Sequence, residues 1–391
     1  MFHRQPDRPS IIFLFSDTGG GHRSAAEAII EAINLEFPEQ ISCTMIDLFR
    51  QYAPPPLDMA PEIYPPLSRM PDLWRFGYRV SDHPRRTHAV YNAIWPYVRV
   101  SLNRLVRENP CDLIVSVHPL ANSPVLRALR QNGQNIPFIT VVTDLVSVHV
   151  SWYDPRLELA IVPTEAARQR GLQLGLAPSQ IKVVGLPVAD RFCRTVGDRM
   201  ALRERFGWPV DRPVALLVGG GEGMGPIEAV AHAINQAELP LALVVVTGRN
   251  RRLKERLEKH TWKIPTYVYG FVREMPDFMR AADMLITKAG PGTISEAFIA
   301  KLPIILYSRL PGQEDGNVNY VVAEGAGAWA PEPEAVVNMA QFWLEHPEER
   351  QKAVAACRML ARPLAARQIG RILASRVGVS NDVAVHKSDP G

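Results

Sequence analysis

Cysteine is scarce in this chain, and long apolar runs are missing from it. The four cysteines among 391 residues lie far apart and form no CxxC pair, which argues against a disulfide framework or a zinc site and predicts core thiols in a reducing compartment. No apolar run approaches the ~20 residues of a membrane-spanning helix, and the first ten residues lack the apolar region of a signal peptide. We therefore expect a cytoplasmic protein.

The chain has little net charge, but that charge is unevenly distributed. The formal net charge is +4, while residues 69–107 hold eight arginines against two aspartates, a local charge of +6. Such a basic stretch favours an anionic surface, either lipid or nucleic acid, and the alternative is an ordinary solvated face. No recognised nucleic-acid-binding motif accompanies it, so we expect no nucleic-acid partner.

Short β-branched segments alternate with helical stretches, a pattern typical of parallel α/β folds. The pattern restarts near residues 188–200, so we expect two doubly wound, Rossmann-like domains with a cleft between them. Their predicted bounds are 1–190 and 191–377, followed by a disordered tail at 378–391. The predicted strands are residues 11–15, 41–46, 113–117, 138–142, 159–162 and 182–184 in the first domain, and 214–218, 241–246, 267–269, 284–287 and 304–306 in the second.

One insertion, at about 53–107, interrupts the first domain. Residues 53–71 contain seven prolines, too many for a helix or a central strand, which predicts a surface excursion. Aromatic residues are then mixed with the arginines counted above. Aromatic and basic side chains together suit a membrane interface, and a capping subdomain with core aromatics remains the alternative.

The first motif with chemical meaning is FSDTGGGHRSAAEAI, residues 15–29. A strand ends at Phe15, three glycines form a turn, and a helix begins near His22. The glycines let the backbone approach a ligand, and the helix N-terminus favours an anion, although plain turn geometry also accounts for such a loop. An imidazole at this turn is suited to take a proton from an alcohol.

The second motif spans residues 287–317 and contains the segments AGPGT and PGQEDGN. A strand leads into a Gly/Pro turn and a helix that starts around Thr293, where backbone N–H groups and Lys288 suit a pyrophosphate. Glu296, one turn inside, is placed to accept both hydroxyls of a ribose. PGQEDGN follows the next strand, so its polar groups should lie at the same edge of the sheet and suit sugar hydroxyls.

The third motif, VGGGEGMGPIEAV at residues 218–230, opens the second half as the first motif opens the first half. A strand, several glycines and a helix follow one another. Contact with a phosphate and simple loop geometry are equally compatible with this pattern.

SDTGGGHRSAA, KAGPGTISEA and PGQEDGN, in this order, resemble the monogalactosyldiacylglycerol synthase and processive diacylglycerol glucosyltransferase group, which is related to MurG. The similarity extends from about residue 10 to about residue 370. It implies a GT-B fold, a UDP-hexose donor held mainly by the second domain, and a lipid acceptor held by the first. It also implies an inverting displacement that uses no cofactor and no essential catalytic metal ion.

The resemblance also implies roles for individual residues. His22 is the expected general base, Asp144 and His149 are expected on the acceptor side, and the basic insertion corresponds to a membrane-docking segment. The expected docking residues are Trp74, Arg75, Arg79, Arg85 and Arg86. The expected donor-binding residues are Gly20, Gly21, Gly220, Phe271, Val272, Lys288, Pro291, Gly292, Thr293, Glu296, Gln313, Glu314 and Asn317.

Together these features predict an enzyme that transfers galactose or glucose from UDP-galactose or UDP-glucose to diacylglycerol. It would act as a peripheral protein on the anionic inner face of a membrane. The alternatives are a MurG-like UDP-N-acetylglucosamine transferase that acts on a polyprenyl-diphosphate lipid, a UDP-N-acetylglucosamine 2-epimerase of the same fold, and a non-catalytic nucleotide-sugar sensor. The basic aromatic insertion disfavours the epimerase, and the presence of His22 disfavours the sensor.

Overall fold

The computed structural model describes residues 8–17, 21–63, 70–194 and 197–380. The chain divides into two compact units, one formed by Met1–Asp190 with Leu364–Gly391 and the other by Arg191–Pro363. Within the described ranges, no helix combines the length and the apolar character that crossing a bilayer requires. Most of the predicted tail, residues 381–391, lies outside the described residues.

The first unit is built on a parallel six-stranded sheet with the order β2-β1-β3-β4-β5-β6. Its inner strands are buried along almost their whole length and are mostly apolar, as is typical of a parallel sheet covered on both faces. The strand order reverses between β1 and β3, and a ligand of an open α/β sheet binds at such a switch point. The strands are β1 Ser10–Phe15, β2 Ser42–Asp47, β3 Leu113–Ser116, β4 Phe138–Val141, β5 Leu159–Val162 and β6 Ile181–Val183.

Helices follow most of these strands, and two of them form the basic, aromatic part of the predicted insertion. Residues 71–108 form two consecutive helices, α3 and α4, while residues 64–69 lie outside the described part of the chain. Proline at the first position of both helices is compatible with their start, because that position needs no N–H donor. The helices are α1 Gly21–Glu36, α2 Leu48–Tyr52, α3 Pro71–Ser81, α4 Pro84–Glu108, α5 Asn122–Gln131 and α6 Glu165–Gln173.

The second unit repeats this design with the strand order β12-β11-β10-β7-β8-β9, again all parallel. Its switch point lies between β7 and β10. The sequence missed β12, which is only three residues long and half-buried, so it lacks the apolar run that marks the other strands. The strands are β7 Val214–Val218, β8 Ala242–Val246, β9 Thr266–Tyr269, β10 Met284–Lys288, β11 Ile304–Ser308 and β12 Gly327–Trp329.

Helix α16, Ala365–Arg376, belongs to the first unit. The predicted second domain, 191–377, had included these residues. This helix buries Ile369 and Leu373 in the same core as α1 and β1, and Arg371 pairs with Glu36 at the end of α1 (2.6 Å). The remaining helices are α7 Asp190–Cys193, α8 Arg199–Phe206, α9 Ile227–Gln236, α10 Arg251–Glu258, α11 Met275–Ala281, α12 Pro291–Ala300, α13 Asp315–Ala323, α14 Pro333–Glu345, α15 Pro347–Leu360 and α16 Ala365–Arg376.

Candidate active site

His22 is the second residue of α1, the helix that follows β1 in the chain. Its Nδ1 lies 2.9 Å from the Thr143 hydroxyl. Burial lowers the pKa of His22 to about 4, and a hydrogen bond to the backbone of Val117 opposes that effect. The imidazole is therefore neutral near pH 7 and able to accept a proton.

An ion pair joins the segment after β1 to the start of α1. Arg23 donates two hydrogen bonds to Asp17, with lengths of 2.6 and 2.7 Å. Gly21 begins α1, whereas Gly20 lies outside the described residues, so its expected contact with the donor stays a prediction. The ion pair fixes the start of α1 and therefore the place of its second residue.

Two buried rings surround the imidazole of His22. The ring of His118 meets it edge-on with a centroid distance of 4.6 Å, and Trp152 lies 6.1 Å away. The Trp152 indole donates to the buried carboxylate of Asp144 (2.7 Å), so this predicted acceptor-side residue holds Trp152. His118 was not among the site residues predicted from the sequence. It lies two residues after β3, the neighbour of β1 in the sheet, and this position could have identified it as a site residue.

His149, the other predicted acceptor-side residue, lies in the loop after β4 and contacts α3. Its Nδ1 lies 2.8 Å from the Ser151 hydroxyl, and its Nε2 lies 3.1 Å from the Ser81 hydroxyl at the end of α3. The Tyr78 ring packs against it at 5.1 Å. Because both ring nitrogens are occupied, His149 joins its loop to α3.

In the second unit, Lys288 ends β10 and pairs with Glu314 (Nζ to Oε1, 2.7 Å). The other oxygen of Glu314 accepts a hydrogen bond from the backbone N–H of Leu310, also at 2.7 Å. Glu314 is only 5% exposed. Its carboxylate therefore positions the lysine and the turn after β11, and the sugar contact expected from the sequence would have to compete with these two partners.

The residues expected to hold the diphosphate and ribose form the first two turns of α12. Pro291, Gly292 and Thr293 are its first three residues, where N–H groups have no partner within the helix. Burial raises the pKa of Glu296 to about 7, and the charge of Arg191 acts in the opposite direction. Among the described residues, the Glu296 carboxyl group accepts no hydrogen bond, so it is available to a ligand.

The turn after β11 is tied to the turn after β10. Asn317 is buried in α13 and donates to the carbonyl oxygen of Ala289 (2.9 Å). Gln313 is half-buried in the turn that precedes α13. Asn317 thus joins the two segments of the second motif, which are nearly thirty residues apart in sequence.

The third motif lies beside the second. A Cβ atom at Gly220 would lie 3.6 Å from the Lys288 side chain. On the other side of the glycine loop, Arg249 pairs with Glu222 (2.6 Å), and its guanidinium lies 5.0 Å from the centre of the Phe271 ring. Phe271 is exposed and its neighbour Val272 is half-buried. Arg249 was not among the predicted site residues, although it follows β8 almost directly.

The predicted docking residues lie at the start of α4 and along α3. The side chains of Arg75, Arg79, Arg85 and Arg86 are exposed, whereas Trp74 is half-buried. Exposed apolar surface on α3 comes instead from Leu73, Phe76 and Val80, which are 50%, 68% and 39% exposed.

These observations define a class of protein. Each unit is a doubly wound parallel sheet, and each presents chemical groups where its strand order reverses. One unit has a neutral imidazole, which suits deprotonation of an alcohol, and the other has an anion-binding helix N-terminus with a lysine. This is the arrangement of a glycosyltransferase with the GT-B fold.

Comparison with known proteins identifies the family. Residues 22–188 match the model of monogalactosyldiacylglycerol (MGDG) synthase, and residues 214–358 match the C-terminal domain of glycosyltransferase family 28. The probable chloroplastic monogalactosyldiacylglycerol synthase of Nicotiana tabacum is 40% identical over 364 residues, which cover 90% of this chain and 68% of that protein. The probable chloroplastic monogalactosyldiacylglycerol synthase 2 of Oryza sativa subsp. japonica is 39% identical over 366 residues, covering 90% and 78%. The chain belongs to the monogalactosyldiacylglycerol synthase family and is a UDP-sugar-dependent hexosyltransferase.

Solved structures confirm the predicted fold. The S. aureus MnaA–UDP co-structure has a TM-score of 0.62 at 15% identity and covers 98% of this chain and 100% of that one. Acinetobacter baumannii MurG has a TM-score of 0.59 at 15% identity, with coverage of 94% and 100%. At such low identity these similarities concern the fold alone.

The expected cytoplasmic location is wrong, because the relatives from Nicotiana tabacum and Oryza sativa are described as chloroplastic. The expectation rested on free cysteines and on the absence of an apolar leader. Free thiols report a reducing environment, and such an environment is not unique to the cytoplasm.

Proposed function

We propose that the protein transfers galactose from UDP-galactose to the free hydroxyl of diacylglycerol at a lipid surface, with inversion at the anomeric carbon. The observation that carries this proposal is the half-buried, neutral His22 beside the switch point of the first sheet. The choice of galactose and of diacylglycerol follows the names of the relatives.

His22 removes the proton from the acceptor hydroxyl. An alcohol is a poor nucleophile near neutral pH, so a positioned base is needed. The Thr143 hydroxyl lies 2.9 Å from Nδ1, and the backbone of Val117 also bonds the ring, so these two contacts fix the imidazole in place. The oxygen then attacks the anomeric carbon as the bond to UDP breaks, and one direct displacement converts an α-linked donor into a β-galactoside.

The second unit holds the donor. The amide groups of Gly292 and Thr293 and the ammonium group of Lys288 face the charge that develops on the leaving diphosphate. Glu296 accepts hydrogen bonds from the ribose hydroxyls, and Phe271 and Val272 border the uracil. We propose that these groups stabilise the leaving group without a catalytic metal ion. Activity that persists in excess chelator would support this view, and loss of activity that Mg²⁺ or Mn²⁺ restores would contradict it.

Substrate use is tested with purified protein and vesicles that contain diacylglycerol. UDP-galactose, UDP-glucose and UDP-N-acetylglucosamine are supplied separately, and the lipid product is identified by mass spectrometry and by the anomeric coupling in its NMR spectrum. We expect a β-galactosyl diacylglycerol, and no product from Glu296→Ala. A glucosyl lipid would overturn the choice of sugar, whereas transfer to a polyprenyl diphosphate or epimerisation of the free nucleotide sugar would overturn the proposed reaction.

Action at a lipid surface is supported by the exposed arginines of α3 and α4 beside exposed apolar side chains. Each basic residue near an anionic surface contributes about 1 kcal/mol at most, and salt screens it. A variant with glutamine at Arg75, Arg79, Arg85 and Arg86 should lose most of its binding to anionic vesicles. The matched control carries glutamine at four exposed basic residues of the second unit and should bind normally: Arg252, Lys352, Arg358 and Arg362. Vesicle binding that ignores both anionic lipid content and ionic strength would contradict the proposal.

A further inference from the structure

Helix α3 has two faces of different character. Leu73, Phe76 and Val80 form its exposed apolar face. Tyr78 and Ser81, which are three residues apart and therefore neighbours on the helix surface, are half-buried on the other face. We propose above that the exposed face binds lipid. The contacts of the inner face therefore determine which other parts of the protein respond when α3 binds lipid.

The inner face of α3 contacts the loop that follows β4. The Tyr78 hydroxyl donates to the carbonyl oxygen of Ser147 (3.0 Å), and the Ser81 hydroxyl lies 3.1 Å from Nε2 of His149. Just beyond the helix, the Asp82 carboxylate accepts a hydrogen bond from the backbone N–H of Val150 (2.8 Å). Three consecutive contacts therefore fasten one side of this loop to α3.

The same Asp82 carboxylate oxygen also pairs with Arg170 of α6, at 3.1 Å. Arg170 is part of the fixed framework of the first unit, so Asp82 anchors the end of α3 to that framework. The Tyr78 and Ser81 hydroxyls contact the loop directly, and the Ser81 hydroxyl also donates within α3, to the carbonyl oxygen of Gly77 (2.8 Å). Removal of these two hydroxyls tests the link between α3 and the loop while it leaves the Asp82–Arg170 pair in place.

The other parts of this loop hold the expected base. Thr143, at its start, lies 2.9 Å from Nδ1 of His22. Trp152, near its end, packs 6.1 Å from the His22 ring and is itself held by Asp144. Residues 143–152 thus contact His22 at one side and α3 at the other.

We propose that Tyr78 and Ser81 are positioning residues that connect the lipid-facing helix to His22 through the loop 143–152. Docking of α3 on a lipid surface then raises the turnover number of the enzyme, in addition to bringing the enzyme close to its acceptor. This inference rests on the proposed action at a lipid surface.

The physical reason is the short length of α3. An isolated helix of eleven residues is only marginally stable in water, so its place depends on what it contacts. A lipid surface that binds the exposed face shifts α3 toward the arrangement in which its inner face holds the loop. By linkage, the loop in turn stabilises the docked arrangement by the same free energy.

The experiment compares the two faces of the helix. Tyr78→Phe/Ser81→Ala removes both hydroxyl contacts and keeps the exposed face, whereas Leu73→Ser/Phe76→Ser changes the exposed face and keeps the hydroxyls. Met359→Ser alters a 77% exposed apolar residue of the second unit and serves as the control. Vesicle affinity is measured by sedimentation. The turnover number is measured with saturating vesicles and with a short-chain diacylglycerol dispersed below its aggregation limit.

In the wild type, we expect a turnover number about tenfold higher on vesicles than with the dispersed acceptor, a size typical of coupling between two sites. Tyr78→Phe/Ser81→Ala should lose this difference and bind vesicles more weakly by no more than the same factor, while Ser81→Thr, which keeps the hydroxyl, should retain both. Leu73→Ser/Phe76→Ser should need more vesicles to reach saturation. UDP affinity and the melting temperature, unchanged in each variant, verify the fold.

Two results separate the inference from the proposed function. If Tyr78→Phe/Ser81→Ala keeps the full difference between vesicles and dispersed acceptor, the positioning role is wrong while lipid docking stands. If Leu73→Ser/Phe76→Ser binds vesicles as tightly as the wild type and the Met359→Ser control, docking through α3 is itself wrong. A wild type that turns over equally fast on both acceptors also overturns the inference.

Discussion

Replacement of His22 by alanine tests the proposed base most directly. General-base catalysis contributes a factor of ~10²–10⁴, so the turnover number should fall by that factor, equivalent to about 3–5 kcal/mol of barrier. UDP affinity should change little because most of the expected donor residues lie in the other unit. His22→Gln, which keeps a hydrogen bond with the Thr143 hydroxyl but has no basic nitrogen, should be as slow as His22→Ala.

The pH dependence of the rate also tests the assignment of His22, because the pKa of His22 sets the position of the acidic limb. With a pKa of about 4, His22 is protonated in about one molecule in a thousand at pH 7. The acidic limb of the wild-type rate profile should therefore lie near pH 4 and not near 6.5. The residual activity of both variants should lack that limb, and replacement of the exposed His346 by alanine should leave it unchanged.

Stability should change in the same pH range. The folded-state pKa of His22 lies below the ordinary histidine value of 6.5, so the unfolded chain binds more protons between about pH 4 and 6.5. Above pH 6.5 His22 is neutral in both states and the folded protein keeps its full stability. As the pH falls from 6.5 toward 4, the unfolded chain takes up a proton that the folded protein does not, and stability falls by on the order of 3 kcal/mol. His22→Gln should remove this part of the acid sensitivity in urea unfolding. Near-normal turnover with an unchanged acidic limb in His22→Ala would refute the assignment and leave Asp144 or a water molecule as the base.

Two further predictions concern the donor residues. Because burial raises the pKa of Glu296 to about 7, UDP binding near pH 7 should release a proton as the carboxylate accepts the ribose hydroxyls; calorimetry in buffers of different ionisation enthalpy should detect this release, and Glu296→Gln should abolish it. Lys288→Met leaves the buried Glu314 carboxylate without its cation, so it should lower both the melting temperature and UDP affinity. Lys288→Met/Glu314→Gln should recover the melting temperature but not the affinity, and recovery of both would show that Lys288 does not contact the donor.

The sequence predicted those parts of the fold that depend on neighbours along the chain. All eleven predicted strands are present, because strands covered on both faces read as continuous apolar runs such as Ala242–Val246. The places of His22 and of Lys288 with the start of α12 were also predictable, since each lies at a strand-to-helix turn. In such folds the carboxyl ends of strands meet at one edge, so a local motif implies a shared location.

The parts that could not be predicted depend on pairs of residues far apart in sequence. Lys288 and Glu314 are both within the second motif, but nothing in their spacing shows that they form an ion pair. Ser81 and His149 come from separate elements, and their contact appears only when α3 packs on the loop after β4. The return of α16 to the first unit is of the same kind, because its apolar face would fit either core.

Two glycines of the third motif are required for different reasons: Gly220 for its backbone conformation, and Gly223 also because there is no room for a side chain. Gly220 has φ +71°, and a Cβ atom there would meet only the Lys288 side chain, at 3.6 Å. Gly223, with φ +60°, would place its Cβ 2.2 Å from the carbonyl oxygen of Thr247. Gly325 offers a matched comparison, because its φ is +70° and nothing lies within 4 Å of its Cβ position.

The cost of a left-handed alanine is about 1–2 kcal/mol, so Gly220→Ala and Gly325→Ala should lower stability by similar amounts. Gly223→Ala should lower it further, since the loop itself has to move. If the diphosphate lies against Gly220, the added methyl group occupies its place, and only Gly220→Ala among the two milder variants should lose UDP affinity. Equal UDP affinity in Gly220→Ala and Gly325→Ala would mean that Gly220 serves the turn and not the donor.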